Sequence, residues 1–212
     1  AGHPGLKPQL LELFEQAHPA LLVEMGRDLV EQQNRCPAVA RGAHRPGMGG
    51  WNVAEKSAIG VRFGKGLQLT NIVKDIARDL HRGRCYVPES LLAEAGMKPA
   101  DLLIEANMPR FRPVLDQLIK LAMDHLDQGW IYTVAIPVSE IRQRLACMWP
   151  ILLAGETLKR VAVAPDLLNP AVNIKAPRSV VYRAVTLTTL TCANAFVATT
   201  YWDSLRKQIG SA

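Results

Sequence analysis

Apolar residues recur at helical spacing along most of the chain, and this pattern predicts a set of helices joined by short connections. The spacing predicts helices over residues 8–17, 19–34, 52–82, 89–95, 98–106, 110–133, 139–161 and 179–206. A Gly/Pro-rich segment at 35–51 predicts a mobile loop. We therefore expect an all-α protein in which residues 1–212 form a single helical domain.

The predicted helix over 52–82 carries a polar stripe directly beside an apolar one. At about 100° per residue, Asn71, Asp75 and Asp79 lie within about 60° of Gln68. The apolar stripe, roughly 80–140° further round, consists of Leu69, Val73, Ile76 and Leu80. Because the two stripes are adjacent rather than opposite, this helix can bury its acids.

Two chemical interpretations of the polar stripe remain open at this point. Buried carboxylates need a compensating cation, and Mg²⁺ takes oxygen ligands that it shares with substrate phosphates. Lys74, Arg78 and Arg82 follow at four-residue steps and suit the oxygens of a diphosphate. The alternative is a solvated acidic pair with salt bridges to neighbouring arginines along the helix.

Composition narrows the classes of partner. The chain has 212 residues, 49% hydrophobic and 21% charged, with a net charge of +6, which favours anionic partners such as a polyphosphate or an anionic membrane surface. No Lys/Arg block with interleaved aromatics appears, so we expect no nucleic acid partner. The N-terminus lacks signal-peptide architecture and the apolar run 184–202 falls short of a membrane span. We expect a cytoplasmic protein, with peripheral membrane contact as an option.

A longer motif surrounds the acidic pair and resembles the second aspartate-rich motif of the squalene/phytoene synthase family. The matching positions are Gln68, Thr70, Asn71, Ile72, Asp75 and Asp79, followed by Gly83, Arg84, Tyr86 and Pro88. Lys74 replaces the arginine usual in the family and keeps its charge. The resemblance implies an isoprenoid synthase-type helical bundle that joins prenyl diphosphates head to head.

The resemblance also implies roles for individual residues. Asp75 and Asp79 would bind Mg²⁺ and act in catalysis together with Tyr86. The residues that would bind the substrate, farnesyl diphosphate, are Gln68, Asn71, Lys74, Arg78, Arg82 and Arg84. Lys175 and Arg178 fall where squalene synthases have basic residues near the proposed NADPH phosphate.

A second block, Ile136-Pro137 with Cys147-x-x-Pro150, resembles squalene synthases more than phytoene synthases. The leading hypothesis is therefore a squalene synthase-like enzyme that joins two farnesyl diphosphates through a cyclopropyl diphosphate, which NADPH then reduces to squalene. One alternative is a phytoene or dehydrosqualene synthase, which uses no hydride donor. The other is a catalytically incomplete helical fragment that binds prenyl diphosphates.

Some family features are not found in the sequence. Neither the first aspartate-rich motif nor the Y-C-x-x-V-A-G string is present, so we expect the bundle to lack its N-terminal helices. Asp124 and Asp127 have the wrong spacing for that first motif, and we interpret them as a surface pair. We expect the threonines of the last predicted helix to bond back to helix carbonyls.

Overall fold

The computed structural model describes residues 53–211, with side chains described from residue 58 onward. The α-helices of this range are α1 (Val53–His81), α2 (Glu89–Glu94), α3 (Met108–Ala135), α4 (Ile141–Val163), α5 (Arg178–Thr191) and α6 (Ala195–Gly210). Short 3₁₀ turns cover Pro99–Leu103, Glu105–Asn107 and Val138–Glu140. The all-α prediction is confirmed for the described residues. The helices predicted at 8–17 and 19–34 and the loop at 35–51 lie outside them, and the single domain stays a prediction.

The structure differs from the sequence prediction at 98–106, which forms two 3₁₀ turns instead of one α-helix. The backbone nitrogen of Lys98 donates to Asp101 Oδ2 over 2.8 Å, and Asn107 Nδ2 donates to the Asp101 carbonyl over 2.8 Å. Side chains that bond to nearby backbone in this way compete with α-helical hydrogen bonding. The segment therefore forms tight turns that lead into α3.

The predicted final helix is divided into α5 and α6. Asn194 lies at the break, with extended backbone, and its side-chain oxygen accepts hydrogen bonds from the backbone nitrogens of Phe196 and Val197. This is N-cap geometry, which begins a new helix. The threonine prediction is confirmed for four of the six threonines, and the hydroxyls of Thr188 and Thr191, for example, donate to carbonyls four residues earlier over 2.6 and 2.7 Å.

The helices form a bundle in which α1 runs antiparallel to α3. Phe63 on α1 contacts Gly129 on α3, and Gly66 contacts Leu126. Elsewhere in the bundle, Gly155 of α4 contacts Trp202 and Leu205 of α6. The predicted apolar stripe of α1 faces this core: Leu69, Val73 and Ile76 are buried and Leu80 packs against it. None of the helices between residues 53 and 211 combines the length and hydropathy needed to cross a bilayer.

Helix α1 ends in a Schellman motif. Gly83 adopts a φ of 75° and donates its N–H to the Leu80 carbonyl over 2.9 Å. The Arg84 N–H donates to the Asp79 carbonyl, also over 2.9 Å. A left-handed glycine with these two bonds satisfies the last carbonyls of a helix and turns the chain away. The linker that begins at Arg84 is thereby fixed next to the acidic end of α1.

Replacing Gly66 by alanine tests the close approach of α1 and α3. The added Cβ would lie 2.9 Å from Leu126 Cδ2 and 3.0 Å from the Leu126 backbone nitrogen, so the helices themselves must separate. We expect overpacking to exceed the gain in helix propensity and to cost about 1 kcal/mol net in free energy of unfolding, measured by urea titration. Gly210→Ala is the control, because nothing lies within 4 Å of its added Cβ. A Gly66→Ala variant as stable as the wild type would contradict this.

Candidate active site

The predicted polar stripe lies along the boundary between the core face and the solvent face of α1. The side chains of Asp75 and Asp79 are 21% and 20% exposed. Gln68 is half-buried, whereas Asn71 is exposed. The two acids are therefore shielded on one side by the bundle and accessible on the other.

Basic side chains of the same helix neutralise Asp75. Lys74 Nζ lies 2.8 Å from Asp75 Oδ2, and Arg78 Nη1 lies 2.9 Å from Asp75 Oδ1. Arg82 Nη1 lies 3.9 Å from Asp79 Oδ1, and the Arg82 side chain is 65% exposed, so this pair is loose and weak. The three predicted cations thus cluster around the two predicted acids.

The donor chemistry of this stripe fits a shared magnesium site. Asp75 and Asp79 lie one turn apart with the amide of Asn71 on the same side, and such oxygens are the ligands that Mg²⁺ takes. Mg²⁺ typically uses one or two carboxylates and completes its shell with water and substrate phosphates. A cation on Asp75 would displace Lys74 and Arg78, which would then be available to phosphate oxygens. Among residues 58–211, no group of three or more His, Cys, Asp or Glu side chains is placed to hold a metal ion.

The remaining predicted residues lie after α1 and at the start of α5. Arg84 is exposed, and Tyr86 is half-buried with its side chain against the core. Lys175 in the preceding loop and Arg178 at the start of α5 are both exposed. The Schellman turn places Arg84 next to the backbone of Asp79, whereas Lys175 and Arg178 belong to a separate element.

A cavity of about 850 Å³ lies between α3, α6 and the end of α4. Its charged lining residues are Arg112, Asp116, Lys120, Asp124, Asp127, Asp203, Arg206 and Lys207. Every lining residue belongs to one of those three helices, so this cavity does not include the α1 stripe. Four acids and four bases line it, so their formal charges balance.

The structure corrects the interpretation of Asp124 and Asp127 as a surface pair, because the Asp127 side chain is bonded to residues of α6. This side chain is 19% exposed, and Oδ1 accepts a hydrogen bond from Trp202 Nε1 over 2.9 Å. Oδ2 lies 3.0 Å from Arg206 Nη2. Burial raises the pKa of Asp127, while the Trp202 hydrogen bond and the Arg206 charge oppose that rise. The carboxylate therefore fastens α6 to α3 and is not a free surface acid.

This raised pKa predicts the pH dependence of stability. A folded-state pKa above the usual value of about 3.9 means that the folded chain binds the proton more readily than the unfolded chain. The stability that Asp127 contributes is then fully present below about pH 4 and is lost as the pH rises through the raised pKa. We expect the free energy of unfolding of the wild type, relative to Asp127→Asn, to fall as the pH rises through this window in urea titrations. A difference that grows with pH would contradict the prediction.

Glu156 and Arg144 are among the buried charged side chains that the sequence analysis missed. Glu156 is 4% exposed and accepts a hydrogen bond from the Tyr201 hydroxyl over 3.0 Å. Burial, together with Glu156, raises the pKa of Tyr201. Arg144 is 3% exposed. The sequence did contain a signal for the burial of Arg144, since this residue lies four positions before the buried Met148, on the apolar stripe of α4.

Comparison with known proteins connects this geometry to a family. The family model "Squalene/phytoene synthase" matches residues 39–180, which include the α1 stripe, its linker, Lys175 and Arg178. A phytoene synthase of Narcissus pseudonarcissus is 34% identical over 84 residues, covering 40% of this chain and 18% of the relative. A phytoene synthase of Thermus thermophilus is 38% identical over 73 residues, covering 34% of this chain and 25% of the relative.

A presqualene diphosphate synthase of Zymomonas mobilis gives a longer match, 32% identical over 126 residues. It covers 58% of this chain and 40% of the relative. In each of these three cases the chain spans well under two thirds of the relative's own length. No solved structure matches the chain significantly.

Proposed function

Because the chain belongs to the squalene/phytoene synthase family, we propose that it joins two prenyl diphosphates head to head into a cyclopropyl diphosphate without a hydride donor. The names of the relatives support this choice, since they are phytoene synthases and a presqualene diphosphate synthase. They favour the alternative of a phytoene or dehydrosqualene synthase, which uses no hydride donor, over the leading hypothesis. The NADPH-dependent reduction to squalene is therefore not part of the proposal.

The observation that carries the proposal is the pair of partly shielded carboxylates, Asp75 and Asp79, in contact with three cations of α1. Their oxygens would hold Mg²⁺, which when bound polarises the departing diphosphate. Lys74 and Arg78 would then bind the phosphate oxygens, and Gln68 would orient them. Binding and ionising the substrate thus become functions of one helix face.

The proposed reaction conserves atoms and electrons without an external reductant. The C–O bond of the first prenyl diphosphate breaks, and the diphosphate leaves with the bonding electron pair. The double bond of the second prenyl chain attacks the allylic cation, and loss of a proton accompanies closure of the cyclopropane ring. The second diphosphate stays on the product. Tyr86 would place its hydroxyl near the diphosphates, and apolar helix faces would keep water from the cations.

Turnover of labelled farnesyl diphosphate by the purified 212-residue chain with Mg²⁺ tests the proposal. We expect at least one diphosphate released for every two substrates consumed, with a second released if the cyclopropyl diphosphate goes on to a phytoene-type hydrocarbon, and the same product with and without NADPH. Squalene formed only when NADPH is added would restore the leading hypothesis of the sequence analysis. Binding without turnover would support the catalytically incomplete alternative, and absence of Mg²⁺-dependent binding would overturn the proposal.

A further inference from the structure

Arg144 is a buried charge that the proposed reaction does not use. Its side chain is 3% exposed, and it stands in the first turn of α4 on the face that also buries Met148 and Ile151. Neither Nε nor Nη2 has a hydrogen-bond partner among the described residues, and both atoms are buried. A guanidinium remains protonated in proteins, so an ion, not a neutral group, is buried here.

The two unpartnered atoms have a specific geometry. Nε and Nη2 form the side-on edge of the guanidinium, and their N–H bonds are parallel. This edge receives the two oxygens of a carboxylate or a phosphate in a bidentate pair, the strongest hydrogen-bonded arrangement that arginine makes. Among the described residues, nothing occupies this edge of Arg144, although its geometry suits a carboxylate or phosphate group.

Within the part of the chain that the structure describes, the surroundings of Arg144 supply little compensation. Burial lowers the pKa of Arg144, and the nearby Cys192 thiol offsets part of that decrease. Cys192 is the C-terminal capping residue of α5, whose last carbonyls carry partial negative charge. These carbonyls attract a cation but do not bond to the side-on edge. Removing a charge from water without such bonds is costly, so a bound anion would stabilise the fold.

We propose that Arg144 anchors an oxyanion-binding site between the start of α4 and the end of α5, which takes a phosphate or carboxylate group through the side-on edge. This site uses no residue of the α1 stripe and is independent of the proposed function. Its ligand would enter by displacement of α5, whose buried residues are Ala184 and Thr188. The hydrogen bond from Trp149 Nε1 to Thr188 Oγ1, 3.0 Å long, links that helix to α4.

The test uses the 212-residue chain carrying Lys74→Met and Arg78→Met, in buffer without divalent metal, so that the α1 stripe keeps its acids but loses the two cations that would bind an anion. Inorganic phosphate and acetate are added separately at ionic strength matched with NaCl. The melting temperature is recorded for both anions, and the ³¹P line width for phosphate. At about 100 times the Kd, we expect a rise in Tm of roughly 5 °C or more. The anion with the larger response identifies the ligand class.

Arg144→Met removes the charge while nearly preserving the volume, and Arg142→Met removes a charge from an exposed site two residues away. We expect Arg144→Met to weaken anion binding at least about tenfold, and to be no less stable than its parent when both are in NaCl. Arg142→Met should respond to anions like its parent. If Arg144→Met does not fold, Arg144→Lys keeps the charge without the fork and should also bind about tenfold more weakly.

Three outcomes would overturn this proposal. One is an anion response that is equal in Arg144→Met, or in Arg144→Lys, and their parent. Another is a parent protein whose Tm is the same in phosphate, acetate and NaCl. The third is an Arg144→Met variant that loses stability in NaCl while its parent shows no anion response. That result would mean that the Arg144 charge only stabilises the end of α5. None of these results bears on prenyl diphosphate turnover, so the two proposals succeed or fail separately.

Discussion

Replacing Asp75 and Asp79 together by asparagine is expected to lower Mg²⁺-dependent turnover of farnesyl diphosphate at least about 10³-fold. Asparagine keeps the size and one oxygen of each side chain but removes both negative charges that would hold the metal. Metal polarisation of a leaving group contributes several kcal/mol to the barrier, and each 1.36 kcal/mol is tenfold in rate. The measurements are the turnover rate and the Mg²⁺ dependence of pyrophosphate binding.

The single variants should differ, because the two acids have different partners. Asp75 is paired through both oxygens, so Asp75→Asn leaves Lys74 and Arg78 without their carboxylate. Asp79 has one loose contact, and Asp79→Asn should leave the cations in place. Asp116→Asn is the matched control, since Asp116 is also a helical acid paired with an arginine, but on α3. Pyrophosphate binding that stays Mg²⁺-dependent in the double variant would show that the site is assigned wrongly.

Trp202→Ala is expected to cost about 4 kcal/mol in free energy of unfolding, because it removes a fully buried aromatic side chain. Trp202 is 1% exposed and stacks on Trp130 with ring centroids 5.5 Å apart. Its loss also removes the Nε1 donor on which the partly buried carboxylate of Asp127 depends. Urea titration of wild type and variant gives the difference directly.

Trp202→Phe separates packing from hydrogen bonding in this prediction. It keeps an aromatic ring against Trp130 but removes the bond to Asp127, and we expect a smaller loss of about 2 kcal/mol. Phe196→Ala, an aromatic truncation on the same helix at a 79% exposed position, should change stability by less than about 0.5 kcal/mol. If Trp202→Ala cost no more than Phe196→Ala, the α3–α6 contact would not be the one described.

The elements that could be predicted from the sequence are those with local causes. The stripes of α1 follow from helical periodicity alone, and the helix ends where Gly83 allows a positive φ. The clustering of Lys74 and Arg78 around Asp75 is local too, because all three belong to the same two turns of α1. The positions of these residues relative to one another could therefore be predicted without knowing the rest of the bundle.

The features that were missed depend on contacts between distant segments. Asp127 looked solvent-exposed on its own helix, and only the arrival of Trp202 and Arg206 from α6 covers it. The break before α6 depends on Asn194, an ordinary polar residue until its side chain caps the new helix. Arg144 on an apolar stripe was a visible irregularity, but only the folded structure shows that it is buried.

The glycine contacts have a mechanical consequence. At Gly66 the missing side chain lets α1 approach α3, and at Gly155 it lets α4 approach α6, so that any added methyl group would collide. Helices locked this closely tend to move together, because sliding one past the other brings backbone against side chain. We expect α1 with α3, and α4 with α6, to behave as rigid pairs. If the chain binds two prenyl diphosphates as proposed, room for their hydrocarbon tails would come from separating the pairs, which requires breaking the contacts of Trp202 with Trp130 and Asp127.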